Sequence, residues 1–207
     1  MIINTKDYKS VICLDGDLPI DFLKNTNLKI IATDGAANNL LKNNIYPFVV
    51  IGDLDSINNE VINHCNCIKI ASQNFTDYEK ALSYVNNNNL SPSIITGING
   101  GYLDRILMNL CIFSQNDSVF FSEDMIGIVI SAHKELQLPK HTKISLIGVK
   151  EAIVTSHGLK WELKETKLSF GGFCSCSNRV SDETVNFDVD GKILVFIYLK
   201  DIIDSGK

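Results

Sequence analysis

The sequence predicts a two-part α/β protein. A parallel-sheet α/β domain should occupy residues 1–123, followed by an antiparallel β-sandwich or barrel over 124–207. Three observations predict it. In the first half, short apolar runs alternate with helically spaced stretches, the signature of βαβ units. After about Glu123, strand-like runs follow one another with no helical pattern between them. Asp190-Gly191 separates two alternating runs, which predicts a hairpin.

The runs of the first half are VICL (11–14), LKIIAT (28–33), PFVVIG (47–52), CIKI (67–70), SIIT (93–96) and SVFF (118–121). Between them, AANNLLKNN, YEKALSYV and LDRILMNLCIF place apolar residues at helical spacing. Thr76 and Glu79 form a capping box, so a helix should begin there. The second half offers MIGIVIS, TKISLIG, EAIVTS, TVNFDV and KILVFIYL as strands.

Bulk properties narrow the function. The 207 residues carry 45% hydrophobic and 21% charged side chains and a net charge of −5, as in an ordinary globule. There is no basic stripe, so nucleic acid is not an expected partner. No apolar run is long enough to span a bilayer, and MIINTKDYKS lacks the apolar core of a signal peptide. The expected location is the cytoplasm, where the six cysteines stay reduced. Two C-x-C pairs, one next to His64, do not have the spacing of a structural zinc site.

In parallel sheets, ligands bind beyond the carboxyl ends of the strands. Several polar signals fall there. Asp34 follows IIAT, Asp53 and Asp55 follow VVIG, and the glycine-rich turn Gly97 to Gly101 follows SIIT. Two aspartates two residues apart repel each other unless a cation lies between them. Their hard oxygens suit Mg²⁺. A solvated turn would also accommodate a lone D-x-D. Asp77, in the first turn of a helix, is either ordinary helix-start chemistry or a third acidic group of the same site. Bare amides of a glycine turn opening a helix bind phosphate well. No Walker A sequence and no protein-kinase signature set occurs. Trp161 reads either as core or as a stacking platform. Ser177 and Asn178 are turn residues or hydrogen-bonding groups.

Taken in order, ATDGAANNLL, PFVVIGDLDSI, FTDYEKAL, TGINGGYLDRILMNL, HGLKWEL and SNRVSDETVNFDVDGKILVFI resemble the thiamin pyrophosphokinase family nearly end to end. The resemblance implies pyrophosphoryl transfer from ATP to the hydroxyl of thiamin with Mg²⁺, giving thiamin diphosphate and AMP. It implies a nucleotide-binding α/β domain, a β-sandwich domain, and a homodimer with thiamin sites where subunits meet. Asp53, Asp55 and Asp77 match the family's acidic metal and catalytic positions. Asp34 and Asp104 match acidic positions of the same cleft, which with Gly97, Gly100, Gly101 and Arg105 would hold the phosphates. Trp161, Ser177 and Asn178 match the thiamin side.

This chain departs from the family's pattern at three places. Asn74 stands where an acidic residue is common, Tyr102 replaces the usual arginine after Gly-Gly, and Arg105 stands where His or Gln is common. Arg105, on the same helical face, would supply the phosphate charge that Tyr102 cannot. No residue stands out as a general base. Two other classes compete. A haloacid-dehalogenase-like phosphatase also ends an apolar strand in D-x-D, but on its first strand, whereas here it follows the third. A non-catalytic nucleotide or thiamin sensor would keep the pocket without turnover.

Overall fold

The computed structural model describes residues 4–200. The first three residues of MIINTKDYKS and the last seven of the second proposed domain lie outside the described residues. The chain separates into two compact units between Ser122 and Glu123.

The first unit is a parallel sheet flanked by helices. Its strands are β1 (Ser10–Cys13), β2 (Lys29–Thr33), β3 (Val49–Gly52), β4 (Cys67–Lys69), β5 (Ser93–Thr96) and β6 (Val119–Phe121). They run in the order β4-β3-β2-β1-β5-β6. Every pairing is parallel, with Val11 opposite both Ile30 and Ile94. β1, β3 and β5 are buried along their whole length, which is why they read as continuous apolar runs rather than alternating ones. The chain grows from β1 to β4 on one side, then crosses so that β5 lies on the other side of β1. That reversal puts a crevice at the carboxyl ends of β1 and β5.

The three predicted helices are present as α2 (Asp34–Lys42), α4 (Asp77–Asn87) and α5 (Leu103–Phe113). α2 buries Ala36, Ala37, Leu40 and Leu41, and α4 buries Tyr78, Ala81 and Val85. The capping box forms: Thr76 Oγ1 accepts the Glu79 N–H and the Glu79 carboxylate accepts the Thr76 N–H. α5 is different. It is rich in apolar residues, yet only Phe113 is buried, and Leu103, Leu107 and Met108 are exposed. Two further helices, α1 (Ile20–Asn25) and α3 (Asn59–His64), were not legible. Each spans six residues and buries one, too little for a helical period to show.

The second unit is a sandwich of two antiparallel sheets. One runs β7-β14-β9-β12, from β7 (Met125–Ile130), β9 (Lys143–Gly148), β12 (Ser175–Arg179) and β14 (Ile193–Tyr198). The other runs β8-β13-β10-β11, from β8 (Lys134–Gln137), β10 (Glu151–His157), β11 (Thr166–Ser169) and β13 (Thr184–Asp190). Ile144, Leu146, Val195 and Ile197 from the first pack against Val154, Leu168, Val185 and Phe187 from the second.

The Asp190-Gly191 hairpin is corrected. β13 pairs with β10 and β8, while β14 pairs with β7 and β9, so this turn carries the chain from one sheet to the other. Gly191 takes φ 104°, and a Cβ there would crowd the backbone at Glu151 and Ala152. The glycine is needed for a close crossing, not for a two-residue hairpin. β8, β11 and β12 were also unpredicted. All three lie at sheet edges, where polar residues are tolerated and alternation is weak.

Phe187, fully buried between the two sheets, gives the test of this packing. Phe187→Ala should cost about 3–5 kcal/mol, read as a lower urea midpoint.

Candidate functional site

A cavity of about 360 Å³ opens at the carboxyl ends of the parallel strands, within the first unit. Four strand ends contribute. β1 brings Asp15, β2 brings Thr33 and Asp34, β3 brings Asp53, Asp55 and Ser56, and β5 brings Gly97 and Gly100. The start of α4 adds Asp77 and Tyr78, and α5 adds Arg105, Met108 and Asn109.

Asp34 is the deepest acid, only 2% exposed. It is the first residue of α2, where the helix dipole favours an anion. Its Oδ2 accepts the Leu54 N–H at 2.6 Å. Its Oδ1 is buried with no hydrogen-bond partner. Gly52 makes this possible, because a Cβ there would overlap that same Oδ1. Burial first, then the nearby Asp77 and Asp53 charges, push the Asp34 carboxyl up to about 6.

The GDLDS turn arranges the other two carboxylates. Leu54 takes φ 63°, a left-handed conformation that costs a branched residue roughly 1–2 kcal/mol. Its bond to Asp34 holds that conformation in place. Asp53 Oδ1 accepts the Asp55 N–H at 3.3 Å, and Gln73 donates to Asp53 Oδ2 at 2.9 Å. These bonds, the Gln73 one foremost, favour the ionised form and bring the Asp53 carboxyl down to about 2. The Ser56 hydroxyl donates to Asp55 Oδ1 at 2.8 Å.

One carboxylate oxygen from each of Asp34, Asp53 and Asp55 lies within 4.8 Å of the others. Asp77 lines the same cavity but does not join that group. Its Oδ1 accepts from the buried Lys80 ammonium at 2.8 Å. The closest acidic set is thus Asp34, Asp53 and Asp55, with Asp77 lining the same cavity. A hard divalent cation fits this set on two observations: three carboxylate oxygens converge, and Asp34, which supplies one of them, carries a buried Oδ1 without a partner.

The glycine turn lies where the sequence put it. Gly97, Gly100 and Gly101 take φ 76°, 87° and 78°. A Cβ on Gly97 would run into the Leu14 carbonyl, so β1 and β5 can end side by side only with glycine there. Space over Gly101 is open, with the nearest atom to a Cβ at 3.8 Å. The next helix, α5, has no side-chain cap at Tyr102. Arg105 lies 3.6 Å from Asp15 across the cavity mouth, and both side chains are exposed. Gly101 and Asp104 are not among the residues lining the cavity. Sequence motifs do not mark Asp15 in the cavity wall, nor Gln73 and Lys80, which bond Asp53 and Asp77. Asp15 follows a strand end, as Asp34 does, and that position was the available signal.

The remaining candidates belong to the second unit. Trp161 is 55% exposed, so the core reading fails for it. It sits in the loop between β10 and β11, which Glu162 braces from within. The Glu162 carboxylate accepts from the Ser156 hydroxyl and from the Gly158 and Leu159 N–H groups. Asn178 is buried and fixes the same loop: its amide donates to the Trp161 carbonyl at 2.7 Å and to Ser175 Oγ at 3.0 Å, and its Oδ1 accepts the Trp161 N–H. The Asn178 amide is therefore spent on holding Trp161. Ser177 is exposed at a register shift in β12, with φ 58° and its N–H on Ser145 Oγ.

Comparisons with known proteins agree with this architecture. Residues 21–120 match the family model described as thiamin pyrophosphokinase, catalytic domain, and residues 128–194 match thiamin pyrophosphokinase, vitamin B1 binding domain. Thiamine pyrophosphokinase 2 of Arabidopsis thaliana is 30% identical, over 78% of this chain and 68% of its own length. Thiamin pyrophosphokinase 1 of Caenorhabditis elegans is 26% identical, over 82% and 79%. Among solved structures, yeast thiamin pyrophosphokinase superposes with TM-score 0.78 at 18% identity, covering 98% of this chain and 90% of that one. Thiamine pyrophosphokinase from Bacillus subtilis gives 0.76 at 21% identity, covering 92% and 98%.

The buried Asp34 carboxyl sets a pH dependence. Its folded value of about 6 lies above its ordinary value, so the native state holds a proton that the unfolded chain releases. Stability should therefore fall as pH rises from about 4 to about 6 in the absence of divalent cations. Asp34→Asn should remove that fall. At pH 7 in EDTA it should be more stable than the parent by up to about 2 kcal/mol, with no gain below about pH 4, as measured by urea unfolding.

Proposed function

The chain belongs to the thiamin pyrophosphokinase family, and from that premise we propose how its own residues carry out the reaction. The activity is ATP-dependent formation of thiamin diphosphate. The thiamin hydroxyl attacks the β-phosphorus of ATP, the bond between the α,β-bridging oxygen and that phosphorus breaks, and AMP leaves. Phosphoryl-type transfer needs little covalent help from protein, so catalysis rests on alignment and charge neutralisation.

The acidic cleft is the catalytic centre in this reading. The single observation that carries it is the convergence of carboxylate oxygens from Asp34, Asp53 and Asp55, with Asp34 buried and one of its oxygens unpartnered. These three would hold Mg²⁺, with Asp77 beside them. When bound, the ion supplies positive charge to phosphate oxygens. The backbone of Gly97, Gly100 and Gly101 and the uncapped start of α5 would receive the phosphates, because bare amides at a helix start favour anions. Asp104 would act from the first turn of α5 without lining the cavity. Arg105 would exchange its contact with Asp15 for a phosphate oxygen, taking the part of the arginine missing at Tyr102. Trp161 would offer its exposed ring to the thiamin cation and Ser177 its hydroxyl. Asn178 would act through Trp161 by fixing its backbone.

A homodimer is part of the proposal. The apolar side chains of Leu103 and Leu107 exposed on α5 support a further packing partner. So is a reducing, cytoplasmic setting: all six cysteines are free thiols, and no helix among the described residues is long and apolar enough to cross a membrane.

Incubation with ATP, Mg²⁺ and thiamin, followed by ³¹P NMR, tests the reaction. AMP and thiamin diphosphate are expected. ADP with thiamin monophosphate, free phosphate alone, or no turnover would each contradict it; the last two are the phosphatase and sensor outcomes. Asp53→Asn should lower kcat about 10²-fold or more. Arg105→Ala should raise KM for ATP roughly tenfold, the order of one lost charge-assisted contact, and an unchanged KM and kcat would remove Arg105 from the site.

A further inference from the structure

Lys80 is a buried cation that the mechanism above does not use. Its side chain is 4% exposed, and burying an ammonium is costly unless it is paired. Its partner is Asp77, three residues earlier on α4, at 2.8 Å. Helix stability does not account for it. The capping box of Thr76 and Glu79 already satisfies the helix start, and a cation in the first turns of a helix opposes the macrodipole. What its position does explain is the electrostatics of the cleft. The Asp77 oxygen that Lys80 holds is thereby engaged, and Asp77 stays outside the group formed by Asp34, Asp53 and Asp55. The ammonium's field also reaches Asp53, favouring its ionised form.

Resting on the cation reading of the preceding subsection, we propose that Lys80 is a positioning residue whose buried ammonium keeps Asp77 out of the Asp34–Asp53–Asp55 group and limits how tightly the cleft holds a divalent cation before nucleotide arrives. Five carboxylates face or line this cavity: Asp15, Asp34, Asp53, Asp55 and Asp77. Arg105 at the mouth is 61% exposed and shares its charge with the exposed Asp15. Lys80 is the fixed countercharge. With it in place, the acids hold the cation loosely enough for ATP to share it. Without it, Asp77 is freed and the negative field deepens.

The test is Mn²⁺ binding to the full chain without nucleotide, followed by the EPR signal of free Mn²⁺. Lys80→Gln keeps a donor for Asp77 but removes the charge. It should bind Mn²⁺ about tenfold more tightly than the parent, the order expected for removing a unit charge close to a divalent ion. Lys80→Arg, which keeps the charge, should stay within about twofold. Thermal unfolding verifies that each variant is folded, and Lys80→Met replaces Lys80→Gln if the latter is not, with the same tightening expected. If Lys80 served only to stabilise the helix, its variants would melt lower with Mn²⁺ affinity unchanged, and that result overturns this proposal alone. A parent protein with no saturable Mn²⁺ binding overturns the cation reading as well.

Discussion

Like-charge repulsion at the carboxyl end of the parallel sheet is the constraint around which the rest of the structure is arranged. Three carboxylate oxygens, from Asp34, Asp53 and Asp55, lie within 4.8 Å of each other, and Asp34 Oδ1 is sealed from water without a partner. A fold does not gain from this by itself. Burying Asp34 raises its proton affinity, and the neighbouring negative charges raise it further. The cost is contained by local devices. Leu54 donates to Asp34 from a strained left-handed turn, Gln73 and the Asp55 amide stabilise ionised Asp53, and Gly52 leaves room for the orphaned oxygen. The left-handed turn at Leu54 and the unpartnered Asp34 oxygen cost folding energy, which the bonds to Asp34 and Asp53 offset only in part. Such expenditure is understandable where the arrangement has a ligand to meet.

The sheet topology supplies the place. Because β5 returns beside β1 after the chain has built β2, β3 and β4, the order of strands reverses at β1 and a crevice opens beyond the carboxyl ends there. The glycine turn after β5 and the acidic turn after β3 then open onto a common cavity. The second unit supplies a different kind of element. There the loop carrying Trp161 is fixed at its start by Glu162 and at Trp161 itself by Asn178, and the large aromatic ring stays on the surface. A pre-set aromatic surface loses little conformational entropy on meeting a flat cationic ring.

Much of this was legible in the sequence. The parallel strands announce themselves as apolar runs because both faces of the sheet are covered, and the capping box fixes the start of α4. The positions of Asp34, Asp53 and Asp55 followed from where those runs stop. Other features were not legible, for physical reasons. Edge strands such as Lys134–Gln137 are polar, and six-residue helices carry too few apolar positions to show a period. Asp190-Gly191 marks a turn, but a local signal does not say which strands the turn joins. The closest acidic group includes Asp34 and not Asp77, whose Oδ1 is paired with Lys80, and the burial of Lys80 is a tertiary fact. Likewise, that the Asn178 amide bonds the Trp161 backbone and Ser175 is a tertiary fact that a motif does not show.

Placing the cation is the most direct measurement. A crystal of the full chain grown with Mn²⁺ and the non-cleavable analogue α,β-methylene-ATP would locate the ion by its anomalous scattering. The account predicts a peak within coordination distance of Asp34, Asp53 and Asp55, with phosphate oxygens completing its shell. An ion bound elsewhere, or a nucleotide seated away from these strand ends, would contradict it.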